Sequence, residues 1–120
     1  MARKPGASPH VPLTPRVLLI LWALADGPQH GYQLRKRAEE LGRGHVAIGP
    51  ASLNESMNAL RRRGLIEHAK APADADRDDK RRRYFRLTKR GRDVLKAEAS
   101  RLAWLTTDLH RDGLIEARQR

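Results

Sequence analysis

Apolar positions recur along this chain with a helical period in four stretches and with an alternating period in two shorter ones. In residues 49–64, Leu53, Met57 and Leu60 stand at i, i+4 and i+7 and make one stripe. Gly49 suits an N-cap and Pro50 the first helical position, while Ser52 and Glu55 have capping-box spacing one turn later, so two registers can start this helix. Gly64 ends it before Leu65 and Ile66 turn extended. Upstream, Thr14 and Pro15 open a helix through Leu18, Leu19, Ile20, Leu21, Trp22 and Leu24 to Asp26, closed by Gly27 and Pro28. It is apolar on every side, more than a small domain can cover, and a second subunit is expected to cover the rest. Between these two helices, His30, Gly31 and Tyr32 lead into a third, with Leu34, Ala38 and Leu41 on one face and Gly42 closing it.

The alternating stretches are residues 65–70 and 82–88; in the second, Arg83, Phe85 and Leu87 alternate with Tyr84 and Arg86. They are expected to pair as a hairpin, with Arg83 and Arg86 packing along the strand. The interval 71–81, holding Pro72 and four aspartates at 74, 76, 78 and 79, is too polar to fold alone. Thr88 can cap a last helix running to about Asp112, with Gly113 and Leu114 as its stop. Leu95, Ala99, Leu102 and Leu109 share a face at mixed three and four spacing, the pattern of a helix-pairing seam, and Trp104 lies opposite it.

Two helices joined by a short connection, then a hairpin, make a mainly α (α+β) chain: a winged helix-turn-helix of three helices, a two-stranded β wing and a C-terminal dimerisation helix. The expected division is a mobile basic arm at 1–13, a winged-helix domain at 14–90, the dimerisation helix at 91–113 and a tail at 114–120.

Charge narrows the partner. The 120 residues carry 25 Lys plus Arg against 14 Asp plus Glu, a formal net charge of +11. Such a balance favours a polyanion, either nucleic acid or an anionic membrane surface. The longest apolar run, residues 17–25, is nine residues, short of the ~18 needed to span a bilayer, and no signal-peptide pattern is present. A cytoplasmic protein binding double-stranded DNA and no membrane is therefore expected. The absence of cysteine excludes disulfides and thiolate chemistry, and the five histidines have no zinc-ligand spacing. No metal, cofactor, nucleophile elbow or phosphate loop is indicated, so no enzyme is expected.

Candidate DNA contacts come from the face opposite the Leu53 stripe. Asn58 can bond adenine in two places, Arg62 can take guanine or phosphate, and Glu55 can accept from cytosine N4. Ser52, Asn54 and Arg61 flank that face, the last two placed for phosphates. From Arg77 to Arg92 there are nine Lys or Arg against two Asp, and Arg77, Lys80, Arg81 and Arg82 of this run are the wing candidates. The competing readings are a solvated helix face and a solubilising charge run. Trp22 and Trp104 are candidates for lining a cavity between subunits for a small planar apolar effector; the alternative is packing against a partner's first helix.

The order and spacing of His30-Gly31-Tyr32-x-Leu34, Ser52-Leu53, Leu60-x-x-x-Gly64-Leu65-Ile66 and Arg83-Tyr84-Phe85-Arg86-Leu87-Thr88-x-x-Gly91 resemble the PadR family of transcriptional regulators, short subgroup. The resemblance implies a homodimer paired through its C-terminal helix that binds a pseudo-palindromic operator and usually represses, with some members released by small planar compounds. The family usually has Thr-Leu-Tyr where Ser52-Leu53-Asn54 stands, so that tyrosine's DNA contact is not carried over. A functional alternative from another class is an architectural or protein-interaction module that binds nucleic acid without sequence choice.

Overall fold

The computed structural model describes residues 10–116. Its elements in order are α1 (Pro15–Ala23), β1 (Gln29–His30), α2 (Gly31–Leu41), α3 (Pro50–Arg62), β2 (Ile66–Ala69), α4 (Arg77–Lys80), β3 (Tyr84–Leu87) and α5 (Lys89–Arg111). The fold is the α+β winged helix expected, with two additions. β1 adds a third strand, giving an antiparallel sheet of order β1-β3-β2, and a single turn of helix, α4, forms inside the polar interval of the wing.

Each main helix begins where its capping chemistry allows. Thr14 Oγ1 accepts the Val17 N–H at 3.3 Å to start α1, and Pro15 follows it. This helix stops at Ala23, earlier than Asp26, because the chain continues through hydrogen-bonded turns at residues 24–27. α3 uses the Gly49–Pro50 register and not the Ser52–Glu55 one; with glycine as N-cap it has no side-chain cap bond. Between α2 and α3, Glu39 Oε2 accepts the Ile48 N–H at 3.0 Å, and Ile48 is buried, so the connection is held down and α3 leaves it in a set direction.

Leu53, Met57 and Leu60 of α3 are buried as their spacing requires, together with Leu19, Ile20, Leu21 and Leu24 from around α1, Leu34 and Ala38 of α2, and Leu65, Ile66 and Val94. This is one continuous core under α3 and the sheet. Thr88 joins its last two parts. Its hydroxyl donates to the Gly64 carbonyl at 2.6 Å and accepts the Gly91 N–H at 3.0 Å, so the exit of α3 and the start of α5 meet at one side chain. Gly64 takes φ 74°, a left-handed turn that lets the chain reverse into β2.

Residues 10–13, placed by the sequence in a mobile arm, pack on the domain. Val11 is buried, and the Leu13 N–H donates to Glu98 Oε2 of α5 at 2.9 Å. An apolar side chain and one buried carboxylate hold a segment whose prolines gave no periodic signal. Residues 1–9 of the expected arm and 117–120 of the expected tail lie outside the described residues.

Candidate nucleic-acid interface

The outward face of α3 is polar because its apolar residues are committed to one stripe. Asn54, Glu55, Asn58, Arg61 and Arg62 are all exposed, and Ser52 is half-buried. Arg61 and Arg62 occupy the last turn, where the helix dipole favours cations.

Two depressions flank this face. One, of about 330 Å³, runs between the N-terminal turn of α2, α3 and the start of β3; its walls include Tyr32, Arg35, Asn54, Asn58, Arg61 and Arg83. The other, of about 420 Å³, lies between α3 and β2 and is bordered by Asn58, Arg61, Arg62, Glu67 and His68. Asn58 and Arg61 border both, so they form the ridge between them. Ser52 and Glu55 border neither depression. Arginines 35, 61, 62 and 83 place positive charge along the two walls, while the Glu67 carboxylate is taken up by Arg86 Nε at 2.8 Å across the β2–β3 pair.

Arg86 thus lies along the sheet as its strand position suggested, but Arg83 does not. It turns to the first depression with Phe85, on the alternate side of the strand. Tyr32, Arg35 and Arg83 were not singled out for DNA contact in the sequence. The alternation that put Arg83 with Phe85 was the available signal; which side of the sheet meets α3 was not legible locally.

The wing candidates lie on or beside α4. Arg77, Lys80, Arg81 and Arg82 are exposed, and Arg82 Nε contacts Asp79 Oδ1 at 3.2 Å. Asp76 caps this turn by accepting the Asp79 N–H at 2.8 Å. Asp79 also reaches His30, whose Nε2 lies 3.6 Å away. His30 is buried and caps α2: its Nδ1 accepts the Gln33 N–H at 3.3 Å, and the Gln33 side chain accepts the His30 N–H at 3.3 Å. Its ring meets Tyr84 edge-on at 5.3 Å. Burial first, then Arg82, hold the imidazole below its ordinary pKa of 6.5, with Asp79 pulling the other way.

The helix-pairing residues face a different region. Leu95, Ala99 and Leu102 of α5, with Leu18 and Trp22 of α1, line an apolar cleft of about 450 Å³ whose one charged wall residue is Lys96. Trp22 is 45% exposed on that wall, and Trp104, 59% exposed, stands outside it, so the two tryptophans are not brought together within one chain. Leu109 is exposed further along α5. Among the described residues no helix is long and apolar enough to cross a membrane, and no cluster of three His, Asp or Glu side chains could hold a metal ion.

The sequence profile of the Transcriptional regulator PadR-like family matches residues 20–97, which takes in α2, α3, the wing and the start of α5. A protein of Streptomyces fradiae, described as an uncharacterized 37.1 kDa protein in transposon TN4556, is 36% identical over 89 residues; the match covers 74% of this chain and 23% of that protein. The chain therefore spans less than a quarter of that relative's length. Among solved structures, a PadR family transcription regulator from Clostridium difficile R20291 superposes with a TM-score of 0.67 at 17% identity, covering 82% of this chain and 97% of that one. A PadR-like transcriptional regulator from Bacillus cereus gives 0.65 at 20% identity, covering 83% and 92%. At such identities the structural likeness concerns the fold.

Proposed function

This chain belongs to the PadR-like family of transcriptional regulators, and from that premise we propose that it is a homodimeric, sequence-specific DNA-binding repressor of the cytoplasm. The observation that carries the reading is the ridge of Asn58 and Arg61 on α3, flanked by Asn54, Arg35 and Arg83 in one depression and by Arg62 in the other. α3 enters a major groove. Asn58 reads a base edge, and Arg61, Arg62, Arg35 and Arg83 grip the phosphates on either side. Ser52 and Glu55, set back from the depressions, contribute less, and Arg77, Lys80, Arg81 and Arg82 of the wing follow the backbone beyond.

Dimerisation places two such faces side by side. The exposed apolar cleft of Leu18, Trp22, Leu95, Ala99 and Leu102 is the surface that a second copy covers, and Leu109 continues it along α5. Two-fold symmetry then matches a pseudo-palindrome with half-sites roughly one or two DNA turns apart. A small planar apolar effector inserted against Trp22 at that seam changes the spacing of the two α3 helices and releases the operator; Trp104 stands outside the cleft. Selection of bound sequences from a random duplex pool tests the reading. An enriched inverted repeat supports it, and no enrichment with equal affinity for all duplexes assigns the chain to nonspecific binding instead.

A further inference from the structure

α4 is a single turn with no buried residue. A helix of that length does not hold itself in water, because its few hydrogen bonds do not offset the entropy of fixing the chain. Something outside it must fix its place.

We propose that His30 is a positioning residue for the wing, holding α4 and its cations at a set distance from the reading face of α3. The proposal rests on the DNA-binding reading above. His30 stands where α2, β1, β3 and α4 meet: it pairs with Tyr84 across the β1–β3 ladder, contacts the Tyr84 ring at 5.3 Å, caps α2 through Nδ1 and points Nε2 at Asp79 from 3.6 Å. With Nδ1 occupied as an acceptor, the neutral ring carries its proton on Nε2, the atom nearest the Asp79 carboxylate. Asp79 is in turn central to α4. Its N–H is bonded to the capping Asp76, and its carboxylate contacts Arg82.

The two ends of this connection carry the proposed contacts. Gly31 and Tyr32, directly after His30, border the depression that holds Asn54 and Asn58. Arg77, Lys80 and Arg81 surround Asp79 along α4 and its exit. One buried imidazole therefore spans the elements that bear the two sets of DNA-facing groups. The charged and titratable groups facing it are Asp79 and Arg82 from the wing and Tyr84 from β3.

Two variants break the tether. His30→Asn keeps an N-cap acceptor for α2 but is too short to reach Asp79, and Asp79→Ala removes the oxygen that faces Nε2 while leaving the capping Asp76 in place. Amide hydrogen exchange of the full chain without DNA is read at residues 77–82, and binding to a duplex selected from the random pool is read as a function of salt. Each variant is expected to speed exchange at 77–82 about tenfold, leave α2 protected, and make the salt dependence shallower by about 0.9 for each phosphate contact released. The double variant is expected to add nothing further. Exchange unchanged at 77–82 in either variant, or single effects that sum in the double, overturns the proposal. An unaltered chain that prefers no duplex overturns the DNA-binding reading alone, since the exchange measurement needs no DNA.

Discussion

The N–H of Leu13 donates to the Glu98 carboxylate at 2.9 Å, joining positions 85 residues apart, and the same carboxylate receives Arg101 Nε at 2.6 Å and its second guanidinium nitrogen at 3.0 Å. Glu98 is buried to 1% exposure, so its charge is tolerated only because these donors satisfy it. Glu98→Ala is expected to lower unfolding free energy by about 2 kcal/mol, the order of the charged hydrogen bonds lost, since the half-buried Arg101 left behind can reach water. Urea denaturation measures this, and limited proteolysis should show the segment before α1 becoming accessible.

Stability should also fall in two steps as pH is lowered. His30 is held below 6.5 in the folded chain, by burial first and Arg82 second, against the pull of Asp79. The unfolded chain therefore takes up a proton first, and stability is lost as pH falls below about 6.5 until the folded pKa is passed. Glu98 is held below 4.5, chiefly by the Arg101 hydrogen bond, opposed by burial and aided by the Leu13 N–H and the Arg101 charge. Its stabilising contribution is present above that value and disappears as pH drops through the lower folded pKa. Urea midpoints measured against pH should show the upper step diminished in His30→Asn and the lower one absent in Glu98→Gln.

Gly91 is buried where α5 crosses the start of β2, and a Cβ there would collide with the Leu65 carbonyl. Gly91→Ala must push α5 away from backbone that cannot yield, and a loss of about 3 kcal/mol is expected, where a sterically compatible Gly→Ala change would instead gain about 0.4–1 kcal/mol. Thermal unfolding of the variant checks it; an unchanged midpoint would remove the close approach from the account.

At the apolar cleft, Leu102→Glu places a charge where a second copy should pack. A shift from dimer to monomer in sedimentation equilibrium is expected, with the domain's circular dichroism unchanged. Planar apolar compounds should quench tryptophan fluorescence in the unaltered chain and in Trp104→Phe, but much less in Trp22→Phe, because only Trp22 borders the cleft.

Much of this arrangement was legible in the chain because it depends on neighbours in sequence. The Leu53, Met57, Leu60 stripe, the Gly64 stop and the Thr88 cap are local devices that appear where their spacing placed them, and of the two starts the spacing offered for α3 the Gly49–Pro50 one is used. What was not legible is long-range. β1 has two residues and exists only because Gln29 and His30 find Phe85 and Tyr84. α4 is held from outside by His30, and residues 10–13 by a carboxylate on the last helix. Arg83 and Arg86 differ in the same way: strand alternation separates them, but only the position of α3 decides which one faces the interface.

Sequence preference in the proposed complex rests on Asn58. Asn58→Ala should cost about 1–3 kcal/mol against the preferred base pair and leave binding to other sequences nearly unchanged, whereas Arg61→Ala should weaken all sequences and flatten the salt dependence. The most direct measurement is therefore the affinity of the unaltered chain for a selected duplex against a scrambled duplex of equal length at one fixed salt concentration. A preference of about a thousandfold or more, reduced in Asn58→Ala, is the expected result. Equal affinity for both duplexes, indifferent to Asn58→Ala, would contradict the assignment of α3 as a reading helix.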